Sequence, residues 1–179
     1  MTDAPSAFDQ ATYQIRFDWG ARALRTLAPA PVTVLVDALP GAELDLDAVE
    51  GHVVRAGLVD RSAVARWVLE RQHENGGRTS VNVVAVGELG EAGEPRFAME
   101  DQLAAGALID ALIALGIDHV SPEAAVASAS FEGLRRACGH LLSASASGRV
   151  LIAAGKADIV REAARVDSAD RVTVLRSPR

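Results

Sequence analysis

Residues 81–86 read Val-Asn-Val-Val-Ala-Val and lead into Gly87-Glu-Leu-Gly90-Glu-Ala-Gly93-Glu-Pro95-Arg96. Met99-Glu-Asp-Gln-Leu-Ala-Ala-Gly106 and a long apolar stretch to Leu115 follow. A short β-branched run predicts a buried strand, the glycines a loop, and the apolar stretch a helix buried on several sides. Strand, loop and central helix in that order are the repeating unit of an α/β protein.

The rest of the chain extends the pattern. Val32–Val36 predicts a second buried strand, ending on Asp37, and His52–Arg55 a third. Tyr13–Phe17 alternates with period two, and Asp18 then opens a helix to Leu27. Asp60 caps a helix to Glu74, which Asn75-Gly76-Gly77 stops. Ser121-Pro122-Glu123 combines a hydroxyl cap, a first-turn proline and an acid at the helix N-terminus. Phe131, Leu134, Cys138 and Leu141 continue one helical stripe, and Ser143–Ser147 reads as a small-residue loop. Gly148-Arg149 opens a short helix, Asp158 begins the last one, and Arg171–Leu175 forms a closing strand. Residues 43–50, with Glu43, Asp45, Asp47 and Glu50, are expected to form an exposed loop or short helix. The expected fold is three-layer α/β/α around a mostly parallel or mixed sheet. Residues 1–12 are expected as a loose tail and 13–179 as one domain.

Composition narrows the function. The chain of 179 residues carries 18 Lys+Arg against 24 Asp+Glu, and only 4% aromatics. Nucleic-acid binders need basic surfaces and stacking rings, so that class is excluded. The single cysteine, Cys138, forbids an internal disulfide and is expected in the core. The four histidines share no metal-ligand spacing. No apolar run is long enough to span a bilayer, and the N-terminus lacks a signal-peptide pattern. A cytoplasmic protein without membrane contact is expected. The 34 alanines and the small residues of 121–142 leave room for a homodimer contact.

Ligands of open α/β sheets gather at the carboxyl ends of strands. Asp37 and Glu88 occupy such ends, and Glu100 and Asp101 follow at a helix start. Carboxylates of this kind suit Mg²⁺, a hard cation that keeps several waters. Arg96 and Arg149 are candidates for gripping an oxyanion, and Ser147-Gly148-Arg149 reads either as an anion-binding helix entrance or as an ordinary capped turn. Each acid also has a plain structural role available, in a turn or against a helix dipole.

Gly87-Glu88, Arg96 and Glu100-Asp101-Gln-Leu-Ala-Ala-Gly106-Ala107 resemble the "AGE … R … EDLLGAGAI" stretch of the 2-phosphosulfolactate phosphatase family. Asp18-Trp19-Gly20, Val34–Asp37, Asp60–Ala65, Ser121–Ala124, Ser145–Arg149 and Asp167-Ser168 follow the family's segments in order. The resemblance implies an α/β/α fold and Mg²⁺-dependent hydrolysis of a small phosphorylated organic acid in coenzyme M synthesis. It implies catalytic roles for Asp37, Glu88 and Arg96, and metal binding by Asp37, Glu88, Glu100 and Asp101. Substrate contacts would come from Asp60, Ser147, Gly148 and Arg149. The chain also departs from the family: Ala38–Gly41 replaces an arginine and hydroxyls, a central block is missing between Glu43 and His52, and Val59, Asp60 and Ala104 replace an arginine, an asparagine and a glycine. These departures support an alternative, a catalytically silent relative serving as an anion-binding or assembly module. A flavodoxin-like nucleotide domain would need a phosphate loop after the first strand, and the sequence shows none.

Overall fold

The computed structural model describes residues 6–90 and 94–178. Five strands form the central sheet in the order β1 (Ile15–Trp19), β4 (Val81–Ala85), β2 (Val32–Val36), β3 (His52–Ala56) and β7 (Thr173–Arg176). The first four run parallel, and β7 closes the edge antiparallel to β3. Strands β2 and β4 are buried along their whole length, which is why, apart from Thr33 and Asn82, they read as apolar runs rather than as alternations.

Alternate residues feed two cores. Ile15, Phe17, Val34, Val54 and Val83 face α2 (Arg61–Glu74), α3 (Met99–Ala114) and α4 (Pro122–Leu134). On the same side α5 (Cys138–Ala144) contributes Cys138 and Leu142, and α7 (Ala157–Ala163) contributes Val160. Leu35, Val53 and Val84 face the opposite way, onto Ala23 of α1 (Gly20–Thr26) and onto Leu44, Leu46 and Val49. The architecture is therefore the three-layer α/β/α fold, with a thin second layer made of one short helix and the 42–49 segment. That segment is only half exposed: Glu43, Asp45, Asp47 and Glu50 point to solvent while the leucines between them cover the sheet.

Local chemistry explains several boundaries. Strand β1 runs two residues further than expected, and the helix starts at Gly20, because Asp18 caps no helix N–H: its carboxylate accepts the adjacent Trp19 N–H and the Arg22 guanidinium. Gln10 donates to the Phe17 carbonyl and accepts from the Phe17 N–H, and the Ala28 N–H donates to the Asp9 carbonyl. The chain from Asp9 is thus tied to β1; residues 1–5 of the expected tail lie outside the described residues. The stripe after Phe131 is broken by a 3₁₀ turn at Arg135–Ala137. No loop spans 143–147: α5 turns directly into α6 (Ala146–Ala153), with Ser145 at the corner accepting the Gly148 N–H. The expected helix start at Gly148 is displaced because Ser145 is the residue that caps.

Ser121 caps α4 as expected, accepting the Ala124 N–H at 3.1 Å from a fully buried position. Ser121→Ala should cost about 1 kcal/mol. A thermal melt should register this as a fall of roughly 2–4 °C.

Candidate active site

Strands β2 and β4 are neighbours, yet the chain leaves them toward opposite faces, β2 into the 42–49 segment and β4 toward α3. A crevice opens where such connections diverge. Asp101, in the first turn of α3 and 2% exposed, spans it. Its Oδ1 accepts the Ala38 N–H and its Oδ2 the Gly87 N–H, both at 2.8 Å. One carboxylate thus pins the loops leaving two strands. Burial, with lesser contributions from the charges of Asp37 and Glu100, pushes this carboxyl up to about 8, against the two backbone N–H groups.

Asp37 leaves β2 with its side chain 6% exposed, 3.8 Å from the Arg55 guanidinium. Burial raises its carboxyl to about 6; Arg55 opposes the rise and Glu100 adds to it. Glu100, 3% exposed, accepts a hydrogen bond from the Ser147 hydroxyl on α6. Asp37, Glu100 and Asp101 are therefore gathered at one point beneath the carboxyl edge.

Of the other residues singled out from the sequence, Glu88, Arg96 and Ser147 line one depression flanking this cluster and Asp60 lines another. The first is a cleft of about 780 Å³ between Pro40, Gly41, Glu88, Arg96, Ser147 and Leu151. Glu88 and Arg96 face each other across a small ribbon, β5 (Glu88–Leu89) and β6 (Pro95–Arg96), and form an ion pair at 2.8 Å. Residues 91–93 of the glycine-rich loop lie outside the described residues. Gly148 is buried inside α6, its N–H already committed to Ser145, and Arg149 is exposed and not part of the cleft wall.

The second depression, about 160 Å³, lies between Asp37, Arg55, Asp60 and Arg171. Asp60 sits at the N-cap of α2, but its side chain accepts the Gly57 N–H at 2.8 Å and not a helix N–H. Burial raises its carboxyl; Gly57 and Arg171 oppose the rise. Arg171 makes no hydrogen bond or ion pair with any described residue, and the half-exposed Arg55 has only the long contact to Asp37. These two guanidinium groups were not singled out from the sequence. An arginine near the end of an otherwise apolar strand is a usable signal for Arg55. Arg171 becomes a neighbour only through the antiparallel pairing of β7 with β3, which aligns Thr173 with Arg55.

Among the described residues, no three His, Cys, Asp or Glu side chains are arranged as a ready-made metal site, and no helix is long and apolar enough to cross a membrane. No curated protein matches the chain. Asp37 and the strands β1 and β2 lie ahead of the part that a family model recognises. That model, described as 2-phosphosulpholactate phosphatase, matches residues 44–178, about three quarters of the sequence, and takes in Asp60, Glu88, Arg96, Glu100, Asp101 and Ser147. The chain belongs to the 2-phosphosulpholactate phosphatase family.

Proposed function

We propose that this chain hydrolyses a phosphate monoester of a small organic acid, with 2-phosphosulfolactate the substrate suggested by its family. The observation that carries the reading is the Asp37 carboxylate, buried at a strand end with Glu100 as a like-charged neighbour and two under-used arginines beside it. Such a cluster favours a cation, and Mg²⁺ needs only one or two carboxylates beside its waters and the substrate's phosphate oxygens. Asp37 and Glu100 would hold it; both oxygens of Asp101 already serve backbone N–H groups, and Glu88 is engaged by Arg96. The ion would supply charge neutralisation at the transferring phosphoryl group and lower the pKa of water.

The chain's own residues supply the rest. Arg55 and Arg171 grip phosphate oxygens, and their planar forks suit that geometry better than an ammonium does. Asp60 lines the same depression beside Arg171, its Oδ1 held by the Gly57 N–H and its carboxyl shifted upward by burial. Water attacks phosphorus, the bond from phosphorus to the ester oxygen breaks, and the departing oxygen takes up a proton.

A catalytically silent anion-binding or assembly module is the second reading. One observation favours it: Arg96, the one arginine lining the larger cleft among the described residues, is tied to Glu88 and not free to hold a ligand. Phosphate release from 2-phosphosulfolactate and a panel of other small monoesters separates the two. The hydrolase reading expects release with Mg²⁺, loss on adding a chelator, and recovery with excess Mg²⁺. No release from any ester, with Mg²⁺ or phosphate still raising the melting temperature, would select the silent module.

A further inference from the structure

The chain contains only four phenylalanines, two tryptophans and one tyrosine, and three of these seven rings stand in a row from the core to the surface. Buried Phe17 meets Trp19 edge-on with centroids 5.9 Å apart, and Trp19 meets Phe97 at 5.0 Å. Phe97 is 59% exposed, an unusual position for a large ring with core residues so near. Together the two outer rings wall a slot of about 380 Å³, a volume typical of small-molecule pockets.

The slot has a built floor. Gly87, with φ +74°, forms part of it, and a Cβ there would come within 3.4 Å of the Trp19 ring and 3.2 Å of the Arg96 carbonyl oxygen. A bare backbone therefore lets the indole approach the loop closely. That same Gly87 donates its N–H to Asp101, so the slot begins one peptide from the carboxylate cluster. The Glu88–Arg96 pair lines both the slot and the larger cleft and forms the wall between them.

The rim carries one guanidinium not neutralised by an ion pair with any described residue. Arg22, Arg25 and Arg96 line the slot; Arg22 is paired with Asp18 and Arg96 with Glu88, while Arg25 makes no hydrogen bond or ion pair with any described residue. Rings inside, guanidinium groups at the rim and a polar reaction edge alongside match one kind of ligand.

We propose that this slot binds the planar apolar part of an anionic ligand, so that, beyond the small organic acid its family suggests, the chain also accepts phosphate monoesters bearing an aromatic or similarly flat group. Stacking on Trp19 and Phe97 would supply affinity, and Arg25 would attract the charge. For the chemistry at the ligand's other end the inference rests on the hydrolase reading above.

The test uses two non-hydrolysable probes, 1-naphthylphosphonate and methylphosphonate, titrated by calorimetry into the full chain with Mg²⁺. The naphthyl probe should bind at least tenfold more tightly. In Phe97→Ala, whose melting temperature should stay near that of the parent because the ring is mostly exposed, that preference should fall to about threefold or less. Equal affinities in the parent chain would overturn the proposal. So would a preference that survives the substitution. Concentration-dependent self-association that Phe97→Ala abolishes, without any aryl preference, would assign the slot to a second copy of the chain and overturn it as well. Aryl preference in binding with no phosphate released from any ester would leave this inference standing while the hydrolase reading fell.

Discussion

Asp37→Asn should reduce Mg²⁺-dependent phosphate release by about 100- to 1000-fold, the scale on which loss of one positioned charge-stabilising group acts. It should also make the protein more stable above pH 6. The two effects share a cause. Asp37 is desolvated and has Glu100 beside it, so its charged form is held at a cost. Its carboxyl titrates near 6 in the folded protein against an ordinary value of 3.8. Between those values the unfolded chain gives up its proton while the folded one keeps it. Stability contributed by this group is therefore complete below pH 4 and lost as pH rises through 6. Asparagine has no proton to lose, so the variant's advantage should open between pH 4 and 6 and then level off, at roughly 1–2 kcal/mol after allowance for partial exposure. Melting temperatures across pH 4–8, with and without Mg²⁺, read this directly. The parent should gain from Mg²⁺ at pH 7.5 and the variant should not. A variant that keeps its activity within a few-fold, or gains as much from Mg²⁺ as the parent, would remove Asp37 from the proposed site.

How far the sequence shows this site depends on which interaction builds it. Strands β2 and β4 declare themselves because a strand buried on both faces is a nearly continuous apolar run, broken here only by Thr33 and Asn82, while β3 shows through its Val53-Val54 pair despite the exposed Arg55. Their carboxyl ends follow at once, and with them Asp37, Glu100 and Asp101. What Asp101 does there is not readable locally, since its two partners, Ala38 and Gly87, lie 63 and 14 residues away. Arg171 is hidden for the same reason, reaching Asp60 only after β7 has paired with β3. The alternation of acids with Leu44 and Leu46 is a period-two signal for a half-buried segment, and the carboxylates, being more conspicuous, mask it. At Ser143–Ser147 the small residues suggest a loop, whereas Gly148 serves close packing: a methyl there would come within 3.0 Å of the Leu142 carbonyl carbon. Small side chains are common to loops and to tight helix corners, so composition alone does not separate them.

The same ambiguity is sharpest at Gly106, which in the sequence looks like one letter of a family motif. Gly106 lies inside α3, where alanine would ordinarily be the better helix former by about 1 kcal/mol. Yet Gly106→Ala should destabilise the protein by about 3 kcal/mol. A methyl built there would overlap the Ala127 carbonyl oxygen and stand 2.7 Å from its carbon and 3.0 Å from Phe131 Cβ. Those atoms belong to α4, and backbone cannot step aside as a flexible side chain would. The helices must separate, which opens the core around Phe131 and Leu103. For a chain of this length the melting temperature should drop by roughly 6–12 °C. Gly133→Ala, in the last turn of α4 with nothing within 4 Å of the added carbon, is the matched control and should be neutral or slightly stabilising. Because α3 carries Glu100 and Asp101 at its first turn, any shift of that helix would also pull at the Ala38 and Gly87 loops. Gly106→Ala should therefore lose Mg²⁺-induced stabilisation as well as heat resistance. A Gly106→Ala protein that melts with or above its parent would show that α3 and α4 do not approach this closely, and the position of the carboxylate cluster would have to be rebuilt.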